Sequence, residues 1–292
     1  MNDPRAGFEQ ILVELRPKLH RYCARMTGSV IDGEDVLQEA MAKAIEAFPH
    51  AGPIAHPEGW LFRIAHNAAL DFLRRRARQE NVRADEDLEM IADPDSEIDR
   101  RQAAAASLRT LMRLPVAQRS SVILMDVLGH SLEEIAVVLD GTVPAVKAAL
   151  HRGRLRLREL AAEPDDRPPP VLAEPDRVRL AAYVARFNAG DFDALRDLLA
   201  AEVKVEVVNH TRLSGRSEAG RYFTNYSQTR DWRLVPGLVE RRPAVLVHHP
   251  DDPGGAPLYF ILLDWAGGRL RNVRDFRYAR YVTDGAEWVG FR

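Results

Sequence analysis

Residues 163–176 read EPDDRPPPVLAEPD, and this stretch constrains the fold more than any other. Proline fixes φ and lacks an N–H, so Pro164 and the run Pro168, Pro169, Pro170 hold the backbone extended and bar a helix or central strand. The 292 residues are thereby divided into two bodies, each long enough to bury a core without disulfides. Before the break, apolar residues recur at helical spacing; after it, short helical patterns give way to alternating runs. The single cysteine, Cys23, permits no internal disulfide and no cysteine-based zinc site, which fits a reducing compartment. MNDPRAGFEQ has no basic-then-apolar signal pattern, and no apolar run approaches the ~20 residues of a membrane span. The expectation is a cytoplasmic, soluble, multidomain protein without membrane association. A net charge of only −2 argues against indiscriminate coating of nucleic acid, so local charge placement matters more than the total.

Phe8 to Met26 spaces Phe8, Ile11, Leu12, Leu15, Leu19 and Tyr22 as a helix, with Pro17 expected to interrupt and kink it. In Ile31 to Phe48, Asp32 can cap and Val36, Leu37, Ala40, Ala44 and Phe48 mark the buried side. Glu34, Asp35, Gln38 and Glu39 occupy the polar face, which read alone is a solvated acidic turn supporting the helix dipole. After the turn-rich HAGPIAHPEG comes Pro57 to Arg78, PEGWLFRIAHNAALDFLRRRAR. As a helix it sets Leu61, Ala65, Ala68 and Phe72 against Arg63, Asn67, Arg74 and Arg78. That basic side is either a solvated surface or a set of guanidinium groups suited to phosphates. Gln79 to Arg101 is crowded with Asp and Glu around Pro94 and reads as a flexible linker.

Arg101 to Arg158 reads as helix, helix, tight turn, helix. Ser131 and Glu134 form a capping box, Gly141 supplies the turn, Thr142 caps the last helix, and Pro144 is tolerated in its first turn. A wheel puts Val146, Ala149, Leu150, Gly153 and Leu157 inside, and Pro144, Lys147, Ala148, His151, Arg154 and Arg158 outside. Small residues near the N-terminus with cations behind them suit a recognition helix in a major groove, a helix-turn-helix geometry. The plainer alternative is a helical hairpin in a larger bundle.

WLFRIAHNAALDFLRRR resembles region 2.3/2.4 of the extracytoplasmic-function (ECF) sigma factors, the promoter-melting subunits of bacterial RNA polymerase, and the helix at 31–48 resembles region 2.2. Leu114-Pro115, Arg119, Gly129, Ser131, Glu134-Ile135-Ala136, Leu139, Ala145-Val146-Lys147, Leu150 and Arg152 to Arg154 resemble region 4. The resemblance covers roughly the first 160 residues and leaves no space for region 1.1 or region 3. It implies that Arg63, Asn67, Arg74, Arg75 and Arg78 engage the −10 element and that the preceding loop captures an extruded base. It further implies that Glu34, Asp35, Gln38 and Glu39 dock on core polymerase, and that Thr142, Pro144, Lys147, Ala148, His151 and Arg154 read the −35 element. The acidic linker would thread the polymerase near the template strand, or serve only as a solubilising tether.

Beyond the proline-rich boundary, Arg177 to Asn188 and a segment from Asp191 read as helices, Val203 to Val208 as a strand, and SGRSEAGRYFTNY as a further helix. Leu234 to His248, Pro257 to Trp265 and Arg269 to Val282 read as strands joined by Gly-containing turns, giving helices followed by an antiparallel sheet. NAGDFDALRDLLAAEVKVEVV with LSGRSEAGRYF resembles the SnoaL-like superfamily, a cone of curved sheet and helices around a pocket. Some SnoaL-like domains are cyclases or isomerases; acid–base candidates here are His210, Asp264, Asp275 and His248-His249, with no spacing that fixes a dyad. HHPDDPGG reads as an exposed turn. ECF factors with such an extension form a known group in which it modulates activity in cis, although this chain has RPPPVLAEP where a WLPEP-type motif is usual, and no DGGGK-type motif.

The expected fold is therefore multidomain: two all-α sigma domains, a region 2 bundle and a region 4 helix-turn-helix, then an α+β SnoaL-like cone. The expected boundaries are 1–78 for region 2, 79–101 for the acidic linker, 102–162 for region 4, 163–175 for the Pro-rich linker and 176–292 for the cone. The expected function is promoter recognition with core RNA polymerase and promoter DNA as partners, and a small-molecule ligand of the cone as a further partner. No catalytic residue, metal or cofactor is expected. The rivals are an operator-binding helix-turn-helix homodimer and a bifunctional protein with a catalytic SnoaL-like domain.

Overall fold

The computed structural model describes residues 4–80, 103–104, 106–163, 168, 170–229 and 231–291. The chain forms two compact units, residues 1–166 and 167–292. The acidic segment lies almost wholly outside the described residues.

In the N-terminal unit, α1 (Pro4–Thr27), α2 (Val30–Ala47) and α3 (Pro57–Glu80) pack on one another. Their shared core includes Leu19, Tyr22, Cys23, Met26, Val36, Leu37, Phe62 and Ala65, all essentially inaccessible. Gly33 allows α2 to approach α1 closely, since a Cβ there would stand 2.5 Å from the Ala24 backbone. Two sequence expectations are corrected. Helix α1 runs through Pro17 without interruption. The ring lies on the exposed side of the helix, clear of the packed core. The cap of α2 is Ser29, whose side chain accepts from Asp32 N–H, rather than Asp32 itself.

A second group follows: α4 (Leu108–Leu111), α5 (Val116–Val122) with a π-helical turn at Ile123–Val127, α6 (Leu132–Val138) and α7 (Val143–Ala161). The capping box at Ser131 and Glu134 is formed in both directions, at 3.2 Å and 2.7 Å. The turn into α7 places Asp140 at φ 55. Gly153 lets α7 cross α5, because a Cβ there would lie 2.8 Å from Val122.

The C-terminal unit opens with α8 (Glu174–Ala189), closed by Gly190 in the left-handed conformation, and α9 (Phe192–Asp197), capped by Asp191. Helix α10 (Arg216–Ser227) lies in sequence between strands. The strands are β1 (Leu199–Val207), β2 (Thr211–Ser214), β3 (Arg233–Val239), β4 (Arg242–His248), β5 (Tyr259–Ala266), β6 (Arg269–Asp275) and β7 (Trp288–Gly290). They form one sheet in the order β2-β1-β6-β5-β4-β3-β7. The sheet is mixed and not wholly antiparallel: β1 and β6 run parallel, with Val205 opposite Val273. The single strand expected over Leu234–His248 is a hairpin whose two turn residues, Glu240 and Arg241, both have positive φ. Neither is the Gly or Asn that such a turn favours, so the break carries no sequence signal. Phe187, Phe192, Phe223, Tyr226 and Trp232 fill the space between helices and sheet with edge-on ring contacts.

Candidate nucleic-acid interface

Helix α7 is built to present one face outward. Thr142 accepts from Ala145 N–H at 3.4 Å, Pro144 sits in the first turn, and Val146, Ala149, Leu150 and Leu157 anchor the opposite side. Lys147 is exposed and His151 half-buried; neither makes a hydrogen bond or ion pair among the described residues, and Ala148 between them leaves room for close approach. Arg154 does not belong to this face. It is buried, and its guanidinium donates bidentately to Asp126 at 3.0 Å and 2.5 Å across to the π-helical turn. A helical wheel assigns Arg154 outward because it cannot see a carboxylate delivered from another element.

On α3, Arg63, Asn67, Arg74, Arg75 and Arg78 are all exposed, opposite the buried Leu61, Ala65 and Ala68. Four of the five already touch protein. Arg63 pairs with Asp140 at 3.0 Å, Arg74 with Asp71 at 3.6 Å, and Arg75 with Glu39 at 2.8 Å, while Arg78 donates to the Arg74 carbonyl. The Arg75 hydrogen bond, followed by that of Lys43, holds the Glu39 carboxyl below its usual range. On α2, Asp35 is exposed and Gln38 and Glu39 half-exposed. Glu34 departs from the expected polar face: it is fully buried, paired with Arg16 at 2.7 Å, and accepts from Gln38.

Within the N-terminal unit, α6 packs against α3. His130 sits edge-on to Phe62 at 4.7 Å, 3.8 Å from both Glu58 and Glu134, and burial lowers its pKa. Lys18 bonds Glu58 beside it. His66 was not singled out by sequence reasoning. It accepts or donates to Tyr22 Oη at 2.7 Å, and burial pushes its pKa down to about 4. Its signal was the i, i+4 spacing from Phe62, which widens the apolar stripe of α3. Cys23 is buried, and burial pushes its thiol pKa up, which removes it from redox chemistry by thiolate.

In the C-terminal unit the acid–base candidates are scattered. His210 stacks on Tyr278 at 4.4 Å, Asp264 accepts from Asn272 at the surface, and His249 is exposed beside Asp251. Asp275 is fully buried and accepts from Tyr222 Oη at 2.9 Å, Tyr226 Oη at 2.7 Å and the Arg277 N–H. Burial raises its pKa, and these donors oppose that rise. His248, expected on an exposed turn, is instead buried at the end of β4. Among the described residues no group of three or more His, Cys, Asp or Glu could hold a metal, and no helix is long and apolar enough to cross a membrane.

These features define a class: a helical protein with a capped helix-turn-helix, a separate basic helix and an appended α+β unit. The comparisons give its family. Sigma-70 region 2 matches residues 11–79, and Sigma-70 region 4 matches residues 106–157. The ECF RNA polymerase sigma factor SigM of Mycobacterium tuberculosis is 35% identical over 53% of this chain and 78% of its own. SigG of the same species, also an ECF RNA polymerase sigma factor, is 28% identical over 94% of this chain and 82% of its own. The crystal structure of the M. tuberculosis extracytoplasmic function sigma factor SigJ is similar over 91% of this chain and 95% of that one, at 19% identity and a TM-score of 0.35. The chain belongs to the ECF RNA polymerase sigma factor family.

Proposed function

We propose that this ECF sigma factor binds core RNA polymerase in the cytoplasm and directs promoter recognition and transcription initiation, its C-terminal unit modulating that activity in cis. The observation that carries the reading is the order of the two sigma-70 regions in one chain, at residues 11–79 and 106–157. In it, residues 1–78 act at −10 through Arg63, Asn67, Arg74, Arg75 and Arg78, and residues 102–162 act at −35 through Thr142, Pro144, Lys147, Ala148 and His151. Asp35, Gln38 and Glu39 dock on polymerase. Glu34 and Arg154 serve the two cores instead, because each is buried against an internal partner of opposite charge. The residues 79–101 and 163–175 link these parts to the cone at 176–292.

The contact of α6 with α3 supports a closed form in which Arg63 is occupied by Asp140. The C-terminal unit would bias the population between that form and a polymerase-competent one, and a small molecule bound there would shift it only by binding the two forms differently. The chain acts without catalysis in this reading.

Run-off transcription with bacterial core polymerase on a pool of promoter fragments, comparing residues 1–163 with the full chain, tests it. Promoter-specific transcripts are expected, at rates that differ between the two forms. Equal rates would remove the cis modulation. No transcript alongside tight DNA binding without polymerase would favour an operator-binding regulator.

A further inference from the structure

Two cavities meet at Arg233 in the C-terminal unit. The larger, about 530 Å³, is lined mainly by apolar side chains, among them Val184, Val235, Trp288 and Phe291. The smaller, about 380 Å³, lies on the other side of Arg233 and is lined in part by Trp232 and Thr229. Both volumes fall in the range of small-molecule sites, which are mostly apolar with a few convergent polar groups.

The polar groups here divide into committed and uncommitted. Asn188 lines both cavities, but its amide is taken: Nδ2 donates to Leu234 C=O at 2.9 Å and Oδ1 accepts Leu234 N–H at 3.0 Å. The Arg233 guanidinium, by contrast, is exposed and makes no hydrogen bond or ion pair among the described residues. Trp232 Nε1 and Thr229 Oγ1 are buried atoms without a hydrogen-bond partner. His248 stands directly opposite Arg233 on the neighbouring strand, is only 3% exposed, and has no partner of good geometry at either ring nitrogen, although the Gly255 backbone lies beside it. Trp288 meets its ring edge-on at 6.4 Å.

Unmatched buried polar atoms are costly, so their clustering around two cavities needs an explanation. All four of these side chains can donate a hydrogen bond, and one of them carries a fixed positive charge. Guanidinium with neutral donors around it recognises a carboxylate, and the neighbouring apolar walls recognise a hydrocarbon body. Burial lowers the pKa of His248.

We propose that the joined cavities bind a small apolar carboxylic acid, its carboxylate held by Arg233 with the donors of Trp232 and Thr229, and its apolar body lying between Val184, Val235, Trp288 and Phe291. The proposal rests on the reading that the C-terminal unit answers to a small molecule.

The test is calorimetric titration of the full chain, without polymerase, with octanoate, 1-octanol and octylammonium below their micelle concentrations. Saturable one-to-one binding of octanoate is expected, at least ten-fold tighter than the alcohol or the amine, as a charge-assisted hydrogen-bonded pair predicts. Arg233→Gln should weaken octanoate about ten-fold or more and leave octanol unchanged; Arg233→Lys should restore part of the loss. Arg233 is exposed, so an unchanged circular dichroism spectrum and melting temperature should accompany the variant. Equal affinity for octanoate and octanol, octanoate binding unaffected by Arg233→Gln, or no saturable binding of any probe would each overturn the proposal. Because polymerase is absent, these outcomes are distinct from a failure of cis modulation, which the transcription comparison reads.

Discussion

At the scale of single residues, two cations three turns or fewer apart on α7 have opposite fates. Lys147 faces solvent without a partner among the described residues, whereas Arg154 closes a buried bidentate pair with Asp126. Lys147→Ala or His151→Ala should weaken −35 use by ~1–3 kcal/mol while leaving thermal stability unchanged, since a base contact is lost and no internal one. Arg154→Ala should instead cost ~3–5 kcal/mol of stability, because Asp126 is left buried and unpaired. Promoter-selective transcription and thermal denaturation separate the two effects; Arg154→Ala melting like the parent would contradict the strut. On α2 the same logic spares Glu34. Asp35→Ala with Gln38→Ala should reduce capture of core polymerase without unfolding the chain, and undiminished capture would remove that face from the docking surface. A wheel misplaced Glu34 and Arg154 for one physical reason: their partners, Arg16 and Asp126, come from other elements, and periodicity reports only one helix at a time.

At the scale of elements, the packing of α1 on α3 places His66 against Tyr22, with a folded pKa of about 4 against 6.5 for an ordinary histidine. The unfolded chain therefore binds a proton between these values that the folded chain refuses. Stability from this site is complete above pH 6.5 and is lost as pH falls towards 4, by as much as about 2 kcal/mol at pH 5. His20 and His130 are shifted in the same direction. His66→Gln should flatten the fall in melting temperature between pH 7 and pH 5, and an unaltered slope would refute the assignment. The long helices were legible because their stripes are wide and their stops clear. Residues Ser131, Glu134 and Thr142 announced the helix-turn-helix by chemistry alone. The hairpin at Glu240 and Arg241 was silent because those side chains adopt a backbone usually left to Gly or Asn. Strand direction was silent as well, since alternation is the same whichever way a neighbour runs.

At the scale of the whole molecule, regions 2 and 4 share one unit in which Arg63 bonds Asp140. The pair is exposed, so it contributes only about 0–1 kcal/mol. Asp140→Ala should accordingly loosen the closed form slightly, raising the distance between fluorophores on α3 and α6 in a modest fraction of molecules. Complete opening would show that this one contact holds the form by itself, and an unchanged distance would show that it contributes nothing. The architecture was legible because the prolines at 164–170 cut the chain where its pattern changes. The interior of the cone was not, because the aromatic residues that fill it are indistinguishable in sequence from those that would line a pocket.

The parallel pairing of β1 with β6 has a consequence in time. Strand β1 can pair with β2 early, but it cannot complete its parallel pairing with β6 until Asp275 has been made. The helical sigma half is complete at residue 166. At bacterial synthesis rates of about 5–20 residues per second, the roughly one hundred intervening residues take on the order of 5–20 s. Each new sigma factor thus spends its first seconds with a finished helical half and an unfinished C-terminal sheet, so any restraint that sheet imposes begins only after its last strands have been made.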